Sequence, residues 1–184
     1  TMDETVRADS TAETLGALRT VFRDAATGTV TAGNASPMND GASAAFIGSE
    51  RGGELLGAAP LARIAGRASS ALDPQFFGFA PVEAANKALA KAGISWSDVA
   101  AVELNEAFAA QSLACVRAWD IDESIVNAWG GALSIGHPLG ASGLRILGTL
   151  ARRLQESNQR WGVAAICIGV GQGLAVVLEN PNAA

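Results

Sequence analysis

Apolar residues recur at three- and four-residue intervals in several stretches of the chain and form unbroken runs in others, and this spacing predicts a succession of helices and strands. Leu15, Leu18, Val21 and Phe22 take helical spacing behind Ser10, with Glu13 three residues on in capping-box position. That pattern predicts an amphipathic helix over 11–24, closed by Gly28. A short strand over 29–32 then leads into the turn-rich 33–41 and a small-residue helix from about Ala42. Residues 48–60 have the composition of a linker, and a strand within 55–72 ends at Asp73-Pro74.

From Pro81 onward the pattern is more regular. Val82, Ala85, Ala88, Leu89 and Ala92 continue a helix that Gly93 stops. A strand follows over 99–104, and Asn105 stands where it would cap a helix burying Phe108, Ala109, Leu113 and Val116. Leu144, Leu147, Ala151 and Leu154 recur three, four and three residues apart, which predicts another helix after the loop around His137. Residues 161–178 carry no formal charge, a length at the lower edge of a membrane span. Gly162, Gly169, Gly171 and Gly173 make that helix a poor one, so the run reads as two buried strands, 163–168 and 174–178, around a glycine turn. Alternating helices and strands with uncharged final strands imply an α/β fold, a sheet with helices on both faces.

Composition narrows the function. The chain has 184 residues, 49% apolar and 17% charged, with a net charge of −5, enough for a sizeable core. The few Lys and Arg are scattered, so nucleic acid is not expected as a partner. Two cysteines, Cys115 and Cys167, are too few for a disulfide framework, and one histidine with them does not complete a zinc site. A reducing cytoplasm fits best. The polar start of the chain has no signal-peptide core.

Three residues stand at element boundaries with chemistry to offer. His137, the sole histidine, precedes Pro138 and sits among Gly136, Gly140 and Gly143, which let a ligand reach the backbone. Cys167 ends an apolar strand just before Gly169. Asn105 begins Asn-Glu-Ala-Phe. Each also has a plainer reading: a histidine satisfied in a packed loop, a small buried thiol, an asparagine capping its own helix. Cys115, in mid-helix, reads as structural. Gly169-Val170-Gly171-Gln172-Gly173 lacks the spacing and the following helix of a dinucleotide loop.

Four blocks taken together resemble the signature of the thiolases. They are Thr31-Ala32-Gly33-Asn34-Ala35-Ser36 with Asn39-Asp40-Gly41; Asn105-Glu106-Ala107-Phe108-Ala109-Ala110-Gln111; Gly130-Gly131-Ala132 with Gly136-His137-Pro138 and Gly140-Ala141-Ser142-Gly143; and Cys167-Ile168-Gly169 with Gly171 and Gly173. They occur in the family's order over almost the whole chain. The resemblance implies a layered α/β fold and acyl transfer to or from coenzyme A, by thiolysis of a 3-oxoacyl-CoA or by Claisen condensation. Coenzyme A would be a substrate, with no further cofactor and no metal.

Residue by residue, the resemblance makes Cys167 the acid/base at the acetyl-CoA methyl carbon and His137 the group that activates the nucleophilic thiol and donates to the thioester oxygen. Asn105 would position a water, Gly169 would offer a backbone N–H to an oxyanion, and Ser36 would touch the pantetheine arm; Ser36 reads equally well as a turn or helix-cap serine. Nothing in the chain matches the family's nucleophilic cysteine. The chain therefore reads as a C-terminal half needing an N-terminal half, in an assembly that is homo-oligomeric. Residues 1–37 would be the tail of the CoA-embracing loop region, 38–58 the last helix of the N-terminal half, and 59–184 the C-terminal domain. Val170 stands where many thiolases have glycine, and Pro37-Met38 replaces Gly-Leu; Cys-Ile-Gly-Val-Gly-Gln-Gly is similar to the β-ketoadipyl-CoA and fatty-acid-degrading branches. The alternative is a non-catalytic domain of the same fold that binds acyl-CoA or scaffolds a partner.

Overall fold

The computed structural model describes residues 6–183; the first five residues of the expected 1–37 segment, and Ala184, lie outside it. Four strands form one mixed sheet: β1 (Arg63–Ala71), β2 (Val99–Leu104), β3 (Trp161–Ile168) and β4 (Gln172–Glu179). Their order is β1-β4-β3-β2. β3 and β4 are an antiparallel hairpin, β1 pairs antiparallel with β4, and β2 runs parallel to β3. Val126 adds a single parallel bridge to Val102, the trace of a fifth strand.

Helices α3 (Ala80–Ala92) and α4 (Ala109–Trp119) cover one face and α6 (Ser142–Glu156) the other, as the α/β reading requires. α3 presents Ala84, Ala85, Ala88 and Leu89 to Ala68, Val163, Ala175 and Val177; its small side chains let it sit close to the strands. α6 packs Ile146, Leu150, Ala151 and Leu154 on Ala101, Ala164 and Leu178. Its cover is uneven. On that side Ile64, Ile168 and Leu174 stay exposed. Among the described residues no helix is long and apolar enough to cross a membrane.

The C-terminal two thirds follow the sequence pattern closely, and the first sixty residues do not. The helix expected over 11–24 is only α1, Ala12–Gly16, capped by Thr11 rather than Ser10. Thr11 Oγ1 accepts from the Thr14 N–H at 3.2 Å, and Thr14 Oγ1 accepts from the Thr11 N–H at 2.9 Å. Beyond it the chain turns back on itself. The Thr27 and Gly28 N–H groups donate to Asp24 O, the Val21 N–H donates to Val30 O, and Thr20 bridges Thr31. A helix continuing through Thr20 and Val21 would break the last two of these pairings. That single bridge also replaces the strand expected over 29–32.

No helix starts at Ala42; residues 39–49 are irregular. The helix lies later, α2 at Glu50–Leu56, inside the expected linker, with Ser49 as its cap and Gly57 ending it at φ 61°. The buried face of α4 is Gln111, Cys115, Val116 and Trp119, with Leu113 exposed. Of the expected face only Val116 is fully buried, and a polar residue, Gln111, holds a core position that apolar spacing does not reveal.

Candidate active site

Strand β2 brings Asn105 to the end of the sheet, where its N–H continues the ladder to Ala165 O at 2.9 Å. Asn105 does not cap the following helix. Phe108 is extended at φ −146°, ψ 143°, and α4 begins only at Ala109. The freed side chain turns elsewhere, placing Asn105 Nδ2 3.2 Å from His137 Nε2. Asn105 is buried and its Oδ1 has no donor among the described residues. A cavity of about 20 Å³ borders it, with Glu103, Asn127, Arg145 and Thr149 also in its wall.

His137 follows α5 (Ala132–Ile135) through Gly136. At Gly136 φ is 89°, and a side chain there would overlap the Asn39 amide, so only glycine fits. The Gly136–His137 peptide is tied on both sides: Gly136 O accepts from Arg145 Nη1 at 2.8 Å, and the His137 N–H donates to Pro37 O at 2.9 Å. The other ring nitrogen, Nδ1, lies 2.7 Å from Ser142 Oγ, and the Ser142 hydroxyl is 2.9 Å from Pro138 O. Burial holds the imidazole below its ordinary 6.5, and the Arg145 charge pushes the same way. The ring is therefore a neutral, half-buried base at pH 7.

Cys167 stands on β3 opposite Gly173, and because β3 runs parallel to β2 it reaches the same end of the sheet as Asn105. It is 8% exposed. Burial pushes its thiol up, and no hydrogen bond of the structure joins it to His137 or Asn105. Asn105 and His137 thus meet directly, while Cys167 shares their end of the sheet. Cys115 is wholly buried in α4, within reach of Gly78 O at 3.3 Å, and burial carries its thiol to about 11, with a smaller contribution from Cys167.

Gly169 is exposed, with no atom within 4 Å of where a side chain would sit, so its backbone is open to approach. It opens the three-residue turn of the β3–β4 hairpin, in which Val170 adopts φ 61°. Ser36 is half-buried, and its hydroxyl and its N–H both donate to Ala107 O, at 3.2 and 3.0 Å. With the Ala109 N–H donating to Asn34 O at 2.9 Å, this stitches residues 34–38 between the Asn105 and His137 loops.

Several supporting residues escaped the sequence reading. Ser142 stands in the sequence only as one member of a glycine-rich block, yet it meets the imidazole directly. Glu106 accepts from Asn127 Nδ2 at 2.7 Å and from the Leu133 N–H at 3.0 Å, tying the two loops together. Asn127 bonds both the N–H and the C=O of Leu104 at 2.8 Å, standing in for a strand. The available signal was a hydrogen-bonding side chain within a run of small residues.

Two family models match along most of the chain. The profile described as "Thiolase, C-terminal domain" matches residues 58–180, and "Thiolase, N-terminal domain" matches 1–51. A 3-ketoacyl-CoA thiolase of Vibrio vulnificus (strain YJ016) is 48% identical over 182 residues, covering 97% of this chain and 47% of that protein. An acetyl-CoA acetyltransferase of Escherichia coli (strain K12) is 50% identical over 180 residues, 98% of this chain and 45% of that one. The crystal structure of human mitochondrial 3-ketoacyl-CoA thiolase in complex with CoA superposes with a TM-score of 0.87 at 41% identity, covering 97% of this chain and 45% of that one. The chain spans about half the length of the curated relatives it matches.

Proposed function

Because this chain belongs to the thiolase family, we propose that it supplies one side of an acyltransferase active site, working on 3-oxoacyl-CoA and coenzyme A. The observation that carries the proposal is the pairing of Asn105 with a neutral His137 at 3.2 Å, at the end of the sheet that Cys167 also reaches. In thiolysis the thiol of an N-terminal half gives its proton to His137 and attacks the 3-oxo carbon. The C2–C3 bond breaks, Cys167 protonates the released acetyl-CoA carbanion, and the acyl group passes to the sulfur of coenzyme A. The N–H of Gly169 serves a second oxyanion, while His137 donates to the thioester oxygen on which the enolate forms; loss of one such donor raises a barrier by about 3 to 4 kcal/mol. Asn105 holds a water beside the reacting thioester, and Ser36 borders the pantetheine path.

The division into residues 1–37, 38–58 and 59–184 belongs to the same proposal, as does an N-terminal partner half in a homo-oligomer. The exposed Ile64, Ile168 and Leu174 on the sheet, with Phe46, Ile47, Leu55 and Leu56, offer apolar surface for such contacts. The two free thiols support a reducing, cytoplasmic setting. The test is thiolysis of acetoacetyl-CoA or 3-oxoadipyl-CoA by this chain combined with an N-terminal thiolase half. We expect turnover that His137→Ala and Cys167→Ala each abolish; a well-folded but inactive complex would refute the proposal.

A further inference from the structure

Two arrangements of protons satisfy the distances around His137. In one, Asn105 donates from Nδ2 to Nε2, Nδ1–H donates to Ser142 Oγ, and the serine proton goes to Pro138 O. In the other the amide is turned over, Nε2–H donates to its oxygen, and the serine proton goes to Nδ1.

Both ends of the chain of bonds choose the first. At the serine end, Ser142 is fully buried and its Oγ lies 2.9 Å from Pro138 O. Pro138 O can only accept. Were the hydroxyl proton spent on Nδ1, two oxygen lone pairs would face each other at that distance. At the amide end, Asn105 borders a cavity of about 20 Å³ whose wall includes Arg145 and also Glu103, the latter already paired with Arg153 at 2.6 Å. That volume takes one water. An amide oxygen toward this cavity accepts from such a water and lies favourably in the guanidinium's field, whereas an NH₂ group would turn positive hydrogens toward a cation.

We propose that Ser142 is a positioning residue that fixes His137 as its Nδ1–H tautomer, leaving Nε2 as the only basic nitrogen, and that one internal water donating to Asn105 Oδ1 holds the amide in the same sense. The inference deepens the functional reading above: if His137 takes the nucleophile's proton, it takes it at Nε2, whose single lone pair the Asn105 N–H gives up as the thiol approaches.

The sole histidine makes the test direct. In the chain labelled with ¹⁵N-histidine, one pair of ring signals reports the tautomer at a pH above the imidazole's titration. We expect a protonated, pyrrole-type Nδ1 and a bare, pyridine-type Nε2. Ser142→Ala should populate both tautomers and lower kcat of the reconstituted enzyme by about tenfold to a hundredfold with KM unchanged; Ser142→Thr, which keeps the hydroxyl, should restore both. A protonated Nε2 in the unmodified chain overturns the inference, as does a Ser142→Ala protein whose tautomer is unchanged. Should Ser142→Ala fail to fold, the unmodified spectrum still decides. An inactive complex with Nδ1–H in place refutes the functional reading alone.

Discussion

The guanidinium of Arg153 on α6 lies 2.6 Å from Glu103 Oε1 on β2, with the two side chains 9% and 4% exposed. Arg153 also donates to Val102 O at 3.1 Å and to Ile125 O at 2.9 Å. It thus fastens helix, strand and the loop beyond them at the point where Asn105 leaves the sheet. Burial pushes the Glu103 carboxyl up even though Arg153 pulls it down. A carboxylate in such a place depends on its partner.

Replacement of Arg153 by Met should therefore destabilise the chain by about 3 to 5 kcal/mol at neutral pH, as expected for a buried charge left alone. The loss should shrink under mildly acidic conditions, where Glu103 becomes neutral. Replacing both residues, as Glu103→Leu with Arg153→Met, should recover most of the stability. Urea unfolding of the three variants at two pH values measures this. Equal loss at both pH values would show that the pair is not the cause.

The pH dependence of His137 follows from its lowered pKa. Below the ordinary 6.5 the unfolded chain binds a proton that the folded chain still refuses, so stability rises with pH there. The contribution is complete above 6.5 and is lost as pH falls through the folded-state value. Titration of the single imidazole by NMR should give a midpoint under 6.5, and Arg145→Gln should move it upward. A midpoint at or above 6.5 would contradict the environment described here.

The two thiols should differ in reactivity. Cys115 is wholly inaccessible and raised to about 11, whereas Cys167 is 8% exposed. Only the thiolate attacks an alkylating agent. Iodoacetamide at pH 8 should label Cys167 first, slowly, with Cys115 following the unfolding rate. Mass mapping of the labelled peptides separates the two, and equal labelling would show that the sheet end is not open to small molecules.

Val170 should be replaceable with profit. A branched side chain at φ 61° costs about 1 to 2 kcal/mol relative to glycine in the same conformation. Glycine returns part of that through a more flexible unfolded chain. Val170→Gly should still raise the melting temperature by about 2 to 4 °C. A lowered melting temperature would mean that the exposed valine makes contacts that outweigh its backbone.

How far the fold was legible depended on where each pattern finds its partner. α3 packs its alanines against strands of this same chain, and β2, β3 and β4 are local runs, so spacing alone located them. Leu15, Leu18, Val21 and Phe22 show an equally good helical pattern, yet they remain exposed, because the described residues contain no core for them to join. Periodicity reports that a surface is apolar, not that this chain covers it. Asn105 was misread for another reason. Capping preference is a local signal, and the residue's side chain is claimed by a ring 32 positions away. His137 and Cys167 were visible as isolated reactive groups among glycines, but the Ser142 hydroxyl that meets the ring and the Asn127 amide that imitates a strand are fixed by tertiary packing.

The tie between the His137 N–H and Pro37 O has a mechanical implication. The segment carrying Ser36 and the imidazole share one fastening, so under the proposed function a pantetheine arm passing Ser36 would press on the same peptide that aims the ring. Loosening that entrance, for example by lengthening residues 39–41, would blur the aim of the base without altering a single reactive atom.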